Sequence, residues 1–322
     1  MRIGITMGDA AGVGPELIIR AFGGGELPGD FLIVGDYSVL EYCSRVLDYP
    51  VPLRRAGHVT DIREGFLNIL DLSLLEEKDI VVGEISARTG ETSVRYVEEA
   101  VRLALDGSIN AMVTLPVNKE AVRLSRRDFT GHTELIAHMC GQDNYTMMLA
   151  SDKLRVTHVS THVSMEEAVR LVTRDRVYNV IRLTWDSLKS FIPVPRIAVA
   201  GLNAHAGENG SFGREDADEI RPAVEKARGG GLEVSGPLPP DTVFLKAARG
   251  QFDAVVCMYH DQGHIPMKLL DFEGGVNITL GLKVIRTSVD HGTAFDIAYR
   301  GIASTRSLAA AYNYAVKLAG NK

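Results

Sequence analysis

The chain has 322 residues, of which 45% are hydrophobic and 24% charged, and its net charge is −6. That length exceeds the usual reach of one hydrophobic core and favours two domains, while the charge gives no overall nucleic-acid signal. No run reaches the eighteen or so uninterrupted apolar residues of a membrane span, and three cysteines without CxxC spacing (Cys43, Cys140, Cys257) argue against a disulfide framework or thiolate zinc cluster.

The first residues, Met-Arg-Ile-Gly-Ile-Thr-Met-Gly, lack the h-region of a signal peptide and read as a buried strand, so a cytoplasmic protein is expected. Further strands are read at 31–34, 111–115, 155–160, 196–200, 254–258 and 276–280. Helices are read at 13–22, 37–47, 90–105, 132–139, 174–191, 214–228 and 307–318. This alternation is the α/β pattern, with ligand sites expected at the carboxyl ends of strands. No linker marks a boundary, which suggests a chain that leaves one domain and returns to it.

Met7-Gly-Asp9-Ala-Ala-Gly12-Val-Gly14-Pro15-Glu16 follows the first strand and opens a helix. It is neither a P-loop nor a Rossmann fingerprint, and it also suits a plain tight turn. In Asp128-Phe-Thr130-Gly131-His132-Thr133-Glu134, Thr130 or Thr133 is placed to cap a helix whose free amides, with His132, make an anion cradle. His162, His205 and His260 follow strands, as a divalent-metal site with an open position requires. His158 and His264 compete with them, and strand alternation does not choose between His158 and His162. Lys268, Asn277 and Arg286 follow on successive elements and suit a phosphate or carboxylate, Arg286 lying within an otherwise apolar strand. The passage from Ser288 to Ala298 reads as strand, loop and helix start, with small residues suited to a flat ring and Asp296 suited to ribose hydroxyls.

On these motifs, with Leu202-Asn203, His205-Ala-Gly207-Glu208, Pro237-Leu-Pro239, Asp241-Thr242, Tyr259-His260-Asp261-Gln262-Gly263 and Gly275-Val-Asn277, the chain resembles a known family almost end to end. It is the 4-hydroxythreonine-4-phosphate dehydrogenase family of pyridoxal phosphate biosynthesis, with its paralogues acting on threonate or erythronate 4-phosphate. The resemblance implies two α/β/α domains similar to isocitrate and isopropylmalate dehydrogenases, with the active site in the interdomain cleft. The implied domains are 1–128 plus 284–322 on the nucleotide side and 129–283 on the metal side. It implies a homodimer whose metal site draws on both subunits, with His162, His205 and His260 holding one divalent ion (Zn, Mg, Co or Mn). Substrate contacts fall on His132, Thr133, Lys268, Asn277 and Arg286, and cofactor contacts on Gly275, His291, Gly292, Thr293, Ala294 and Asp296. The acidic Asp296 favours NAD over NADP by repelling a 2′-phosphate.

The implied reaction is NAD-linked oxidation and decarboxylation of 4-phosphohydroxy-L-threonine to 3-amino-2-oxopropyl phosphate. The alternative is 4-phospho-D-threonate or D-erythronate giving dihydroxyacetone phosphate, and His264-Ile265-Pro266 resembles that paralogous branch. Asp241, Asp261 and Lys268 are the catalytic candidates, the two aspartates for orientation or proton relay. A metal-dependent hydrolase or lyase without nicotinamide, and a non-catalytic phosphometabolite-binding protein, are the remaining classes. No nucleic-acid or membrane partner is expected.

Overall fold

A computed structural model describes residues 1–320, which form two compact units. Unit 1 comprises Met1–Asp143 with Leu282–Gly320, and unit 2 spans Asn144–Gly281. Each is α/β, as the alternation predicts.

With elements numbered along the chain, unit 1 holds β1 (Arg2–Thr6), β2 (Asp30–Gly35), β3 (Leu53–Ala56), β4 (Leu67–Asp71), β5 (Ala111–Thr114) and β12 (Arg286–Val289). They run parallel in the order β3-β4-β2-β1-β5-β12. Successive residues of β1, β5 and β12 are buried; neighbours along a strand point to opposite faces, so both faces of this sheet are covered. Its helices are α1 (Gly14–Gly23), α2 (Tyr37–Val46), α3 (Ala87–Leu105), α4 (Lys119–Arg123), α5 (His132–Cys140) and α11 (Arg306–Ala319). Helix α3 rests on β1, β2 and β5, and α11 on β1, β5 and β12. Helix α5 packs on α3, which places residues 132–140 in unit 1.

Unit 2 holds β6 (Thr146–Ala150), β7 (Arg155–His158), β8 (Ile197–Ala200), β9 (Val234–Leu238), β10 (Ala254–Cys257) and β11 (Val276–Leu280), in the order β11-β6-β7-β10-β8-β9. Strands β7, β10, β8 and β9 are mutually parallel, whereas β6 runs antiparallel to both its neighbours, β7 and β11. Its helices are α6 (Met165–Arg170), α7 (Arg174–Lys189), α8 (Arg221–Gly229), α9 (Pro240–Ala248) and α10 (His260–Leu270). The period-2 rule is visible in its two cores. Ile197, Val199, Val256 and Met258 face Val177, Ile181 and Val224, while Ala198, Ala200, Val255 and Cys257 face Val243 and Met267.

Several local expectations are corrected. The strand read at 155–160 stops at His158, so the alternation argument does not reach His162. The helix read at 214–228 opens with a wide turn, Asp216–Ile220, in which Arg221 N–H bonds Asp216 O. Pro222 has no N–H to return to residue 218, which removes the regular bond there. No helix follows Thr293; turns occupy that stretch and α11 begins only at Arg306. Helix α10 has no counterpart among the helices read from sequence, because Gly263 and Pro266 lie inside it. A Cβ at Gly263 would come within 2.5 Å of His158 Nε2 and 2.9 Å of Cys257 Sγ, so glycine is what lets α10 lie this close to β7 and β10. The three cysteines are buried and free, and among the described residues no helix is long and apolar enough to cross a membrane.

Candidate active site

In unit 1 the adjacent parallel strands β1, β5 and β12 deliver their following loops to one edge. Backbone bonds join these loops: Asp9 N–H to Pro116 O at 2.9 Å, and Val13 N–H to Thr293 O at 2.9 Å. A side chain at Gly12 would meet Thr293 O at 2.9 Å, which explains glycine in that turn. Asp9 is fully buried, and burial raises its pKa against the lowering pull of the Ala11 amide and the Thr89 hydroxyl.

Arg286 is 3% exposed, and its Nε and Nη2 donate to Thr114 Oγ1 at 3.0 and 2.8 Å. Burial pushes its guanidinium down to about 10, with Glu134 opposing, so it remains a cation near neutrality. His132 opens α5; its Nε2 is buried without a hydrogen-bond partner. Burial, then the positive charges of Arg286 and Lys119, push this imidazole down to about 3. The helix begins at Gly131 with no side-chain cap, so neither Thr130 nor Thr133 serves as one and the first amides stay available to a ligand. Sequence reasoning assigned no role to Thr114 or Lys119, although both lie in the polar cluster where β5 ends; a side chain at Gly131 would lie 3.4 Å from Lys119 Nζ. A buried guanidinium, a neutral imidazole and uncapped helix amides form a corner suited to a phosphate or carboxylate.

The loop 291–296 also belongs to unit 1. His291 and Asp296 are exposed, Gly292 faces open space, and Ala294 takes a left-handed φ of 42°. Gly275, expected with them, lies in unit 2 in the turn ahead of β11.

In unit 2, His162, His260 and His205 follow β7, β10 and β8, three adjacent parallel strands, and so leave from one edge of the sheet. Sequence could not show that adjacency. His162 and His260 have ring centroids 5.6 Å apart. His260 is the first residue of α10, and its Nδ1 lies 2.7 Å from Asp261 Oδ1. Facing a carboxylate, Nδ1 carries the proton and Nε2 keeps the lone pair that a metal needs. His264 stacks on His260 at 3.6 Å and His158 lies 4.8 Å from His264. His158 is fully buried, and burial, with His264, pushes it down to about 3, whereas His162 is exposed.

His205 is held differently. It begins a run of left-handed residues, with φ of 52° at His205, 55° at Ala206, 77° at Gly207, 39° at Glu208 and 57° at Asn209. Each non-glycine residue so placed costs roughly 1–2 kcal/mol, and such strain persists only where surrounding bonds over-determine it. Asp216, 1% exposed, supplies them, accepting from Leu202 N at 2.9 Å, Asn203 N at 3.1 Å and Asn203 Nδ2 at 2.9 Å. As candidate donors the imidazoles have the right chemistry, and His162 and His260 fit as a pair. The described residues nevertheless hold no group of three or more His, Cys, Asp or Glu that could hold a metal ion.

Of the remaining expected residues, Lys268 shares α10 with His260 and does not lie on a separate element; its Nζ is 5.2 Å from the Phe272 ring. Asn277, on β11, turns its Nδ2 to Met147 Sδ at 3.1 Å and leaves Oδ1 buried without a partner. Asp241 is exposed in the first turn of α9.

Comparison with known proteins gives a consistent result. The family model described as pyridoxal phosphate biosynthetic protein PdxA matches residues 29–315. The chain is 46% identical to the D-threonate 4-phosphate dehydrogenase of Cupriavidus necator, over 98% of this chain and 97% of that protein. It is also 46% identical to the 4-hydroxythreonine-4-phosphate dehydrogenase of Desulforapulum autotrophicum, over 97% and 94%. A crystal structure of 4-hydroxythreonine-4-phosphate dehydrogenase from Klebsiella pneumoniae superposes with a TM-score of 0.89 at 42% identity, covering 99% of each chain.

Proposed function

This chain belongs to the PdxA family of pyridoxal phosphate biosynthetic proteins, and we propose that it catalyses NAD-linked oxidation and decarboxylation of a 4-phosphorylated 3-hydroxy acid. The observation that carries the reading is the unit 1 corner, where Arg286 is buried as a cation beside a neutral His132 and the free amides of α5. Such a corner is organised for a phosphorylated anion before any ligand arrives.

A divalent ion at His162, His205 and His260 would supply Lewis acidity to the secondary hydroxyl, and NAD the hydride acceptor. The chain's own groups do the rest. Arg286, His132, Thr133 and the α5 amides receive one anionic end of the substrate, and Lys268 and Asn277 are assigned to its other polar groups. Asp261 fixes the His260 tautomer through the 2.7 Å contact, and Asp241 and Asp261 are assigned to proton relay. Once the hydroxyl carbon β to the carboxylate has become a ketone, the C–C bond breaks with loss of carbon dioxide; Lys268 offers charge to the resulting enolate. Exposed His291 and Asp296, with half-buried Thr293, are assigned to the adenosine side, Gly275, Gly292 and Ala294 to close backbone approach, and Asp296 to preference for NAD.

The two named relatives, equally identical to this chain, act on different substrates by their names. His264, which stacks on His260, belongs to the pattern that resembles the paralogous branch and favours D-threonate 4-phosphate over 4-phosphohydroxy-L-threonine. The deciding experiment measures NADH formation from both, and from D-erythronate 4-phosphate, with several divalent ions before and after chelation. No NADH from any of the three sinks the reading; phosphate or fragment release without NAD would favour a hydrolase or lyase. We further propose a cytoplasmic homodimer that completes the ion site, supported by the solvent-facing Ile265, Leu269 and Phe272 of α10 and the turn after it. Mixed His205→Ala and His260→Ala chains then regain about a quarter of wild-type activity, because half the dimers carry one intact site. If all three imidazoles came from one chain, mixing would restore nothing.

A further inference from the structure

In the motif Tyr259-His260-Asp261-Gln262-Gly263, Gln262 is a buried polar residue to which the reaction gives no role. Gln262 is 8% exposed, and both ends of its amide are engaged. Its Oε1 accepts the Met258 N–H at 2.7 Å, and its Nε2 donates to Gly201 O at 2.7 Å. Met258 is the first residue past β10 and Gly201 the first past β8. The chain leaving β10 reaches His260 two residues on, and the chain leaving β8 reaches His205 four residues on. Neither backbone group is satisfied by a sheet ladder at that point, so the one amide answers two buried demands.

Gly201 is held from the other side as well, its N–H donating to Leu238 O of β9 at 2.8 Å. Asp216 then takes the next two amides, Leu202 and Asn203. The left-handed run that presents His205 therefore hangs from Gly201, and Gln262 ties Gly201 to the first turn of α10. A side chain at Gly201 would meet Asp216 Oδ1 at 2.7 Å and the Ala206 Cα at 2.8 Å, so this junction has no slack.

We propose that Gln262 is a positioning residue: its amide locks the exits of β8 and β10 together, so that the His205 turn and the His260 helix move as one body and each imidazole is held in a fixed place, the two serving the two ion sites of the proposed homodimer. The cation part rests on the metal reading above; the mechanical part does not. Outer hydrogen bonds that orient ligands typically change metal affinity about 10- to 100-fold when lost.

The test compares the full-length wild type with Gln262→Leu, which keeps the volume and removes both bonds, using backbone hydrogen exchange without metal and calorimetric titration with Co²⁺. Exchange at 201–206 in Gln262→Leu should rise at least about tenfold, and Co²⁺ binding should weaken about 10- to 100-fold. His162→Ala, as the reference, should lose Co²⁺ binding with exchange at 201–206 unchanged. Gln262→Glu keeps the acceptor for Met258 and loses the donor to Gly201; it should free 201–206 while leaving Met258 protected, and it decides the matter if the leucine variant does not fold. If wild type takes up no Co²⁺, the metal reading fails and exchange alone judges Gln262. Unchanged exchange at 201–206, or wild-type Co²⁺ affinity in a folded variant, overturns the proposal.

Discussion

In unit 1, Arg286 is 3% exposed with two of its nitrogens on Thr114, whereas in unit 2 His205 stands exposed on a left-handed turn. Both side chains are expected to meet ligand, yet their supports differ. The arginine itself is buried and hydrogen-bonded, so the desolvation cost is met during folding and the ligand finds a fixed cation. For the histidine the supporting groups are buried instead, Asp216 and Gln262, while the imidazole is left free to find its partner. A corner prepared in this way should govern binding, and an edge completed by an added ion should govern turnover.

The largest expected effect tests the edge. His205→Ala removes an imidazole without altering the left-handed backbone, so turnover should fall about a thousandfold or more while circular dichroism stays native. A loss of less than tenfold would take the edge out of the chemistry. Next comes the corner: Arg286→Lys keeps the charge but loses the fork held by Thr114 Oγ1, and KM should rise about 10- to 100-fold with kcat changed much less. A fall in kcat with unchanged KM would erase the proposed division of labour.

Much of this contrast was legible in the sequence. Arg286 was conspicuous because a cation interrupted Val284-Ile285 and Thr287-Ser-Val289, and the His162, His205 and His260 positions followed β-rich runs. What could not be read was adjacency. That β7, β10 and β8 lie side by side is a property of strand order, which no local pattern encodes. Helix α10 was hidden because Gly263 and Pro266 signal a break by propensity, while packing against His158 and Cys257 demands the glycine. The charged edge strand β3, Leu53–Ala56, and β6, Thr146–Ala150, lack the β-branched alternation that marks a strand in sequence. The left-handed run at 205–209 has a single glycine among its five residues, so composition gave no warning of it.

A smaller effect probes how tightly the edge is packed from beneath. Gly263→Ala pushes a methyl against His158 Nε2 and Cys257 Sγ and should destabilise unit 2 by about 1–3 kcal/mol, measured by urea unfolding. Substitution without cost would mean that α10 can shift outward, and that His260 is less firmly placed than Arg286.

The smallest effect asks whether the preparation of unit 1 extends to its charges. Asp9 is fully buried and its folded-state pKa is raised, burial outweighing the Ala11 amide and the Thr89 hydroxyl. The folded chain therefore binds this proton more tightly than the unfolded chain does. Below the ordinary carboxylate pKa both states are protonated and the group costs nothing; as pH rises from there through the folded value, stability is lost. Asp9→Asn keeps the acceptor that meets Ala11 N–H at 3.0 Å and carries no charge. Its unfolding free energy should exceed that of wild type at pH 8, with the margin shrinking toward about pH 4, where wild type is no longer asked to bury the charge. A variant less stable than wild type at pH 8 would show that the partners of Asp9 outweigh its burial, and that this edge of unit 1 is prepared in its anion as firmly as in its cation.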